Sequence, residues 1–212
     1  MKIRIPDSVA VNSPEYWDYR WRDYRDGGVV RIDPGGFEAL ASVVKDGDTV
    51  MDFGCGIGWF LEYLSHVRPA CKLYGCDISH VAMVETLKLA PACAWSNDAS
   101  IYPDGFFDVM FCIHTIEHFE NTTKTLEMLK RITKPNGVVV VVIPYLDQPW
   151  VEHYKIWGRA EIEELFEPFS CDVSITVREA YTLDTKTGRA YVKRYENGDP
   201  FREAICFVKF KN

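Results

Sequence analysis

What the 212-residue chain lacks narrows it first. No apolar run approaches the roughly 20 residues that a membrane span needs. The start, Met1-Lys2-Ile3-Arg4-Ile5-Pro6-Asp7, carries no long apolar stretch after its basic residues, so it does not read as a secretory signal and a cytoplasmic protein is expected. Positive charge is not in excess: 24 Lys and Arg face 31 Asp and Glu, a net charge of -7. That argues against a broad face for nucleic acid or anionic membrane, while leaving room for a local basic patch. The 7 cysteines form no C-x-x-C pair. Their odd number and apolar surroundings suit reduced, mostly buried thiols rather than a disulfide framework or a zinc finger. Internal repeats and low-complexity linkers are absent too. What remains is an ordinary globular composition, 47% hydrophobic and 26% charged, of a length suited to one domain.

The patterns present are those of alternating strands and helices. Ser13 to Gly28 is dense in aromatics and charges, with Trp17, Trp21 and Tyr24 at helical spacing, Ser13 and Pro14 placed as cap and first-turn residue, and Gly27-Gly28 as the stop. A second helix is expected from Pro34 to Val44. Strands are expected at Thr49–Phe53, Lys72–Asp77, Ala92–Trp95, Phe107–Ile113 and Val138–Ile143, the last after a Pro135-Asn136-Gly137 turn. Helices are expected between them at Trp59–Val67, Ser79–Leu89 and Thr122–Thr133. This alternation predicts a parallel sheet covered by helices on both faces. The tail changes style. After a helix from Ala160 to Phe166, Cys171–Val177 and Ala204–Phe210 alternate like strands around a polar insertion with a turn at Thr187-Gly188, which predicts an antiparallel end to the sheet.

The chemistry concentrates at strand ends. Asp52-Phe53 runs into Gly54-Cys55-Gly56-Ile57-Gly58 and then a helix, a place where glycine lets the backbone approach a ligand. In dinucleotide-binding turns the spacing is G-x-G-x-x-G. Here the third glycine comes one residue early and Trp59 stands where glycine would be. The acid before the glycines suits a ligand with a cationic amino-acid part and no phosphate. Asp77 ends the next strand, the usual place for a carboxylate on a ribose diol. Asn97-Asp98-Ala99 ends the third, where a side chain could meet an adenine amino group. Each acid alone reads equally as a helix cap; three in chain order along one sheet edge point to a ligand.

With these motifs in place, Val50 to Pro144 resembles a class I, Rossmann-like S-adenosylmethionine-dependent methyltransferase, of the broad small-molecule group that includes the ubiquinone-biosynthesis enzymes. Asp52 to Gly58 resembles the first family motif, Gly75-Cys76-Asp77-Ile78-Ser79 the second, Asn97-Asp98-Ala99 the third, Phe107 to His114 the fourth and Leu129 to Gly137 the segment entering the fifth strand. The resemblance implies a three-layer αβα sandwich on a seven-stranded sheet whose last strand is antiparallel. It implies S-adenosylmethionine as cofactor, with Asp52, Gly54, Cys55, Gly56 and Gly58 near its methionine part, Asp77 on the ribose, Asn97 and Asp98 near the adenine, and Ile78 and Ala99 packed on that ring. A helix before the first strand often covers the cofactor in this family, which would add Tyr16 and Arg20; the alternative is a helix held on the sheet by Trp17, Trp21 and Tyr24. The chain then divides into a helical cap (1–46), a cofactor-binding core (47–144) and an acceptor-side end (145–212).

The acceptor side is less defined. His114-Thr115-Ile116-Glu117-His118 follows the fourth motif, so His114 and His118 are candidates for a general base or for placing the acceptor, and His114 also borders the cofactor. As a string, H-x-x-E-H matches an inverted zinc-protease motif, which requires a helix. Some related methyltransferases hold a divalent metal here with a later histidine; in this chain that set would be His114, Glu117, His118 and His153, and no metal is assigned. Trp150 to Tyr154 falls where acceptor pockets commonly lie. Lys186, Arg189, Lys193 and Arg194 make the late insertion basic, as a solvated hairpin or a gate for an anionic acceptor. The expected function is methyl transfer to a small-molecule acceptor. The alternatives are a nicotinamide-dependent oxidoreductase, which Trp59 argues against, and a non-catalytic member of the fold.

Overall fold

The computed structural model describes residues 4–27, 31–32, 34–146, 150–184, 189–192, 194 and 197–211. In chain order the elements are α1 (Pro14–Gly27), β1 (Arg31–Ile32), α2 (Pro34–Ala41), β2 (Thr49–Phe53), α3 (Trp59–Val67), β3 (Lys72–Cys76), α4 (His80–Leu89), β4 (Ala94–Ser96), β5 (Phe107–Ile113), α5 (Thr122–Ile132), β6 (Thr133–Pro144), α6 (Arg159–Phe166), β7 (Cys171–Glu179), β8 (Tyr181–Asp184), β9 (Arg189–Val192) and β10 (Arg202–Phe210). Seven strands form the main sheet in the order β4-β3-β2-β5-β6-β10-β7. The pairs among β2 to β6 are parallel. β10 runs antiparallel to both β6 and β7. The expected seven-stranded sheet with its last strand reversed is therefore present.

Two-residue alternation along the strands sorts the core into the two faces of the sheet. Met51, Met110, Cys112, Val139, Val141 and Cys206 join Leu126, Leu129 and Ile132 of α5 and Ile162 of α6. Val50, Val109, Phe111, Val140 and Val142 join Phe37 and Leu40 of α2 and Phe60, Leu61 and Leu64 of α3. Burying each such side chain contributes about 1.5–3 kcal/mol. β5 and β6 feed both clusters, which is why Val109–Ile113 and Val138–Ile143 are continuously apolar. All seven cysteines are free, and five of them are buried.

The expected elements shift at their ends for local reasons. α2 stops at Ala41 rather than Val44, because Val44 N–H turns back to the Ala41 carbonyl. The third strand starts at Ala94 rather than Ala92, where its ladder with β3 begins. Asn136, in the left-handed region at φ 68, forms an irregular entry to β6 instead of a free turn. The late insertion is a hairpin, β8 with β9, and β8 also pairs with β1. That pairing joins the N-terminal segment to the chain's last third. Lys186, Lys193 and the Thr187-Gly188 turn lie outside the described residues; Arg194 donates to the Gly198 carbonyl within its own loop.

Between β2 and β5 the strand order reverses, so their carboxyl ends open a crevice. Open parallel sheets bind ligands at such switch points.

Candidate functional site

β2 delivers Asp52 and the glycine loop to this crevice. Gly54 and Gly56 hold φ 77 and 53, in the left-handed region. A side chain at Gly54 would collide with Thr115 at the end of β5, and a Cβ at Gly56 would lie 2.5 Å from Trp21 of α1. Gly58 closes against Thr86 of α4, where a Cβ would come within 2.9 Å of backbone. Four of the loop's donors are already used. The amides of Gly54 and Cys55 donate to the Cys76 carbonyl, Gly58 to the Cys55 carbonyl, and Gly56 to Asp77 Oδ2 at 2.9 Å. Those bonds commit the backbone of the glycine loop to β3 and its own turn. The site also has an uncompensated acid: Asp52 is 3% exposed and its Oδ1 has no hydrogen-bond partner. Burial, with Asp77 adding repulsion, raises its pKa to about 8. A buried carboxylate in that state favours a cationic ligand.

Asp77 ends beside it, accepting from the amides of Gly56 and Ser79; burial raises it to about 6 against those bonds. Asp98 caps the short helical turn Ala99–Ile101 by accepting from Ser100 N–H, so the helix-cap role is real, and its side chain stays in solvent. Asn97 is exposed and Ile78 is 43% exposed on the same edge. Two expected contacts need correction. Cys55 points its thiol inward, toward Thr86, because the left-handed glycines on either side turn its backbone, not its side chain, to the crevice. Ala99 is 2% exposed and belongs to the core beneath the edge, so it offers no free apolar face.

The acceptor side is assembled from more distant parts. His114 follows β5 at φ 48. Its Nε2 meets Glu203 Oε2 of β10 at 3.0 Å, and its Nδ1 faces Glu117 at 3.7 Å. Glu203, 3% exposed, also accepts from Arg178 Nε at 2.6 Å. Burial alone would lower the His114 pKa; the Glu117 and Glu203 carboxylates reverse this and raise it to about 9. Glu117, His118 and His153 bring ligand-type atoms within 4.8 Å of one another. Glu117 is 1% exposed, and neither carboxylate oxygen has a hydrogen-bond partner. His114 stands outside that group, turned to Glu203. Ile116–His118 is a single helical turn, so the protease pattern loses the helix it requires.

α1 lies across both halves. Trp21 covers Gly56, and Trp17 packs edge-on to His118 at 4.7 Å between ring centroids. Asp18 accepts from Ser79 Oγ and Val81 N–H at the start of α4. Tyr16 and Arg20, expected against the cofactor, instead meet Glu152, at 2.6 and 3.3 Å. Their spacing of four residues puts both on one face of the helix, opposite in role to the Trp17–Trp21 face.

Residues 34–173 match the family described as Methyltransferase domain. The chain belongs to that methyltransferase family. Over 170 residues it is 29% identical to ltbC of Aspergillus luteorubrus, a protein named for methyltransferase activity, the match covering 61% of this chain and 56% of ltbC. The chain spans about half of that relative and a smaller share of other curated ones, 26% for a tRNA (carboxymethyluridine(34)-5-O)-methyltransferase of Arabidopsis thaliana at 27% identity over half of this chain. In three dimensions the chain resembles one from the complex between the Haloferax volcanii Trm112 methyltransferase activator and a methyltransferase. The TM-score is 0.70 at 18% identity, covering 96% of this chain and 100% of that one. Likeness at that identity shows the fold.

Sequence motifs brought out the glycine loop, Asp77 and the histidines, and held Glu152 only as part of the segment Trp150 to Tyr154. They missed Asp18, Arg178 and Glu203. Glu203 left one trace, an acid directly before the apolar run Ala204–Val208.

Proposed function

We propose that this chain is a single-domain enzyme that transfers a methyl group from S-adenosylmethionine to a small-molecule acceptor by direct displacement. The observation that carries the reading is Asp52, a buried acid with an unpaired oxygen at the foot of a glycine loop, four of whose amides are already bonded. This fits a cationic amino-acid end far better than a pyrophosphate, which favours S-adenosylmethionine over a nicotinamide cofactor. Asp77 would take the ribose hydroxyls, and Asn97, Asp98 and Ile78 would border the adenine. S-adenosylmethionine, when bound, supplies a methyl group on a sulfonium, already activated for displacement.

What the protein must add is alignment in a dry site, worth up to roughly 7–11 kcal/mol. The acceptor would lie between the turn after β5 and residues 150–157. The two histidines divide the work. His114, with carboxylates facing both ring nitrogens, stays an imidazolium at neutral pH and serves as a fixed positive charge. His118 Nδ1 lies 3.1 Å from the Glu152 carbonyl. A carbonyl can only accept, so Nδ1 is the donor, and in the neutral ring Nε2 keeps its lone pair. His118 is therefore the base for an acceptor that must lose a proton.

A small acceptor is supported by the net charge of -7, which gives a polyanion little to bind. Relatives at this distance include one named for 2-methyl-6-phytyl-1,4-hydroquinone and the tRNA enzyme above. A second reading has its own observation: Glu117, buried without a hydrogen-bond partner beside His118 and His153, would suit a divalent ion of the zinc type. Activity lost to a chelator and restored by a divalent ion would establish it; indifference to chelators would remove it. Calorimetry with S-adenosylhomocysteine and NAD tests the main reading. Binding of the first alone is expected, and preference for NAD would overturn it.

A further inference from the structure

Glu152 joins two parts of the molecule that the proposed reaction treats separately. It is 5% exposed and sits in the segment after β6. Its carboxylate accepts from Tyr16 Oη at 2.6 Å and pairs with Arg20 at 3.3 Å. Its carbonyl accepts from Asn12 Nδ2 at 2.9 Å and from His118 Nδ1 at 3.1 Å. Asn12 Nδ2 also reaches the His118 carbonyl at 3.3 Å. Three residues of the N-terminal segment thus converge on one acid, and that acid's backbone fixes the tautomer of His118. Trp17, on the other face of α1, closes on the His118 ring, and His153 lies against it at 5.1 Å between centroids.

The same helix covers the cofactor loop through Trp21. Docking of α1 over the glycines and orientation of His118 are then one mechanical event. We infer that Glu152 is a positioning residue through which the docked N-terminal helix sets His118, so that a site open on the cofactor side is also unprepared on the acceptor side. Tyr16 and Arg20 act on the acceptor side through Glu152, with Trp17 and Trp21 as the helix's contacts to the ligand crevice. This rests on the methyl-transfer reading for what the crevice holds. It holds equally whether His118 Nε2 accepts a proton or meets a cation.

An energetic reason favours a functional link over simple packing. Burying a carboxylate with one phenol and one guanidinium is at best a modest gain over apolar contact. Its distinctive product is direction: a bonded carboxylate holds the following peptide, and that peptide's carbonyl holds the imidazole.

Histidine ring nitrogen NMR on the full chain tests the inference without needing the acceptor. His118 signals are assigned by His118→Gln, and Tyr16→Phe and Glu152→Gln are compared with the unchanged protein, with and without S-adenosylhomocysteine. His114 is an internal reference, since its ring is held by Glu203 and Glu117. The expected result is a His118 pattern of one Nδ1-protonated tautomer in the parent, sharpened by S-adenosylhomocysteine. Both variants should shift toward mixed tautomers, with His114 unmoved and the thermal midpoint retained. His118 signals that stay put in both variants, or that move together with those of His114, overturn the inference. If calorimetry shows no S-adenosylhomocysteine binding by the parent, the methyl-transfer reading fails and the coupling with it. Normal binding with an unmoved His118 sinks the coupling alone.

Discussion

The cofactor edge and the acceptor edge of the crevice are built in different ways. The cofactor edge uses short stretches at three successive strand ends, Asp52 to Gly58, Asp77 to Ser79 and Asn97 to Asp98, each shaped by its immediate neighbours. The acceptor edge is drawn from across the chain: His114 leans on Glu203, Glu203 on Arg178, and His118 on Glu152, which leans on Tyr16 and Arg20. Local construction holds one open acid, Asp52, ready for a cation. Distributed construction spends most of its charges on one another, while the Glu117 carboxylate has no hydrogen-bond partner among the described residues. The difference suggests why one methyl donor can serve many family members while acceptors vary.

The largest expected effect breaks the distributed side. Glu203→Ala would leave Arg178 and His114 facing a hole in the sheet edge and should cost about 3–5 kcal/mol of stability by urea unfolding. S-adenosylhomocysteine affinity in the folded fraction should hold; a matching loss of affinity would mean the two edges are not separate. On the local side, Asp52→Asn should weaken S-adenosylhomocysteine binding on the order of 100-fold by calorimetry, as expected for losing a buried charge partner. The unliganded fold should be no less stable, because the lost carboxylate was uncompensated.

Gly54→Ala is a purely local test. The left-handed backbone should cost about 1–2 kcal/mol, with the Thr115 collision added to it. Thr115→Ala in the same chain should recover the collision and leave the backbone cost, read as unfolding midpoints of the single and double variants. The smallest effect sharpens the Asp52 assignment by pH. Its pKa of about 8 in the free site means the acid is mostly protonated at pH 7, whereas a bound cation favours the ionised form. Binding should therefore release a proton and tighten as pH rises from 6 to 8, by at most about tenfold per unit, then level off. In Asp52→Asn this dependence should vanish. For the free protein the sign reverses: a folded pKa raised above the unfolded value contributes stability that is full at acid pH and fades as pH climbs through 8.

Much of the cofactor edge was legible because its signals are local. Three glycines, an acid before them and acids at the following strand ends are sequence neighbours of the elements that present them. The limits of that reading are equally physical. Cys55 lies inside the motif, yet a left-handed backbone on both sides turns its thiol into the core. Tyr16 and Arg20 share a helix with Trp17 and Trp21, and periodicity separates the two faces without saying which one meets the ligand. The alternative that set Trp17, Trp21 and Tyr24 against the sheet had the division right and the partners different. His114 and His118 looked equivalent as a string. They differ because β10 brings a carboxylate to one while the segment after β6 brings a carbonyl to the other.

By itself the sequence determined the αβα architecture, the reversed last strand and the glycine loop at the carboxyl edge of the sheet. Those follow from residue alternation, turn chemistry and contacts a few residues long. Only the tertiary structure decided which histidine faces carboxylates and which a carbonyl, that Tyr16 and Arg20 of the N-terminal helix meet Glu152, and that Arg178 and Glu203 stand behind His114. Such partners lie 25 to 136 residues apart. Nothing in local propensity marks an acid on one strand as the neighbour of a base on another until the sheet closes and brings them together.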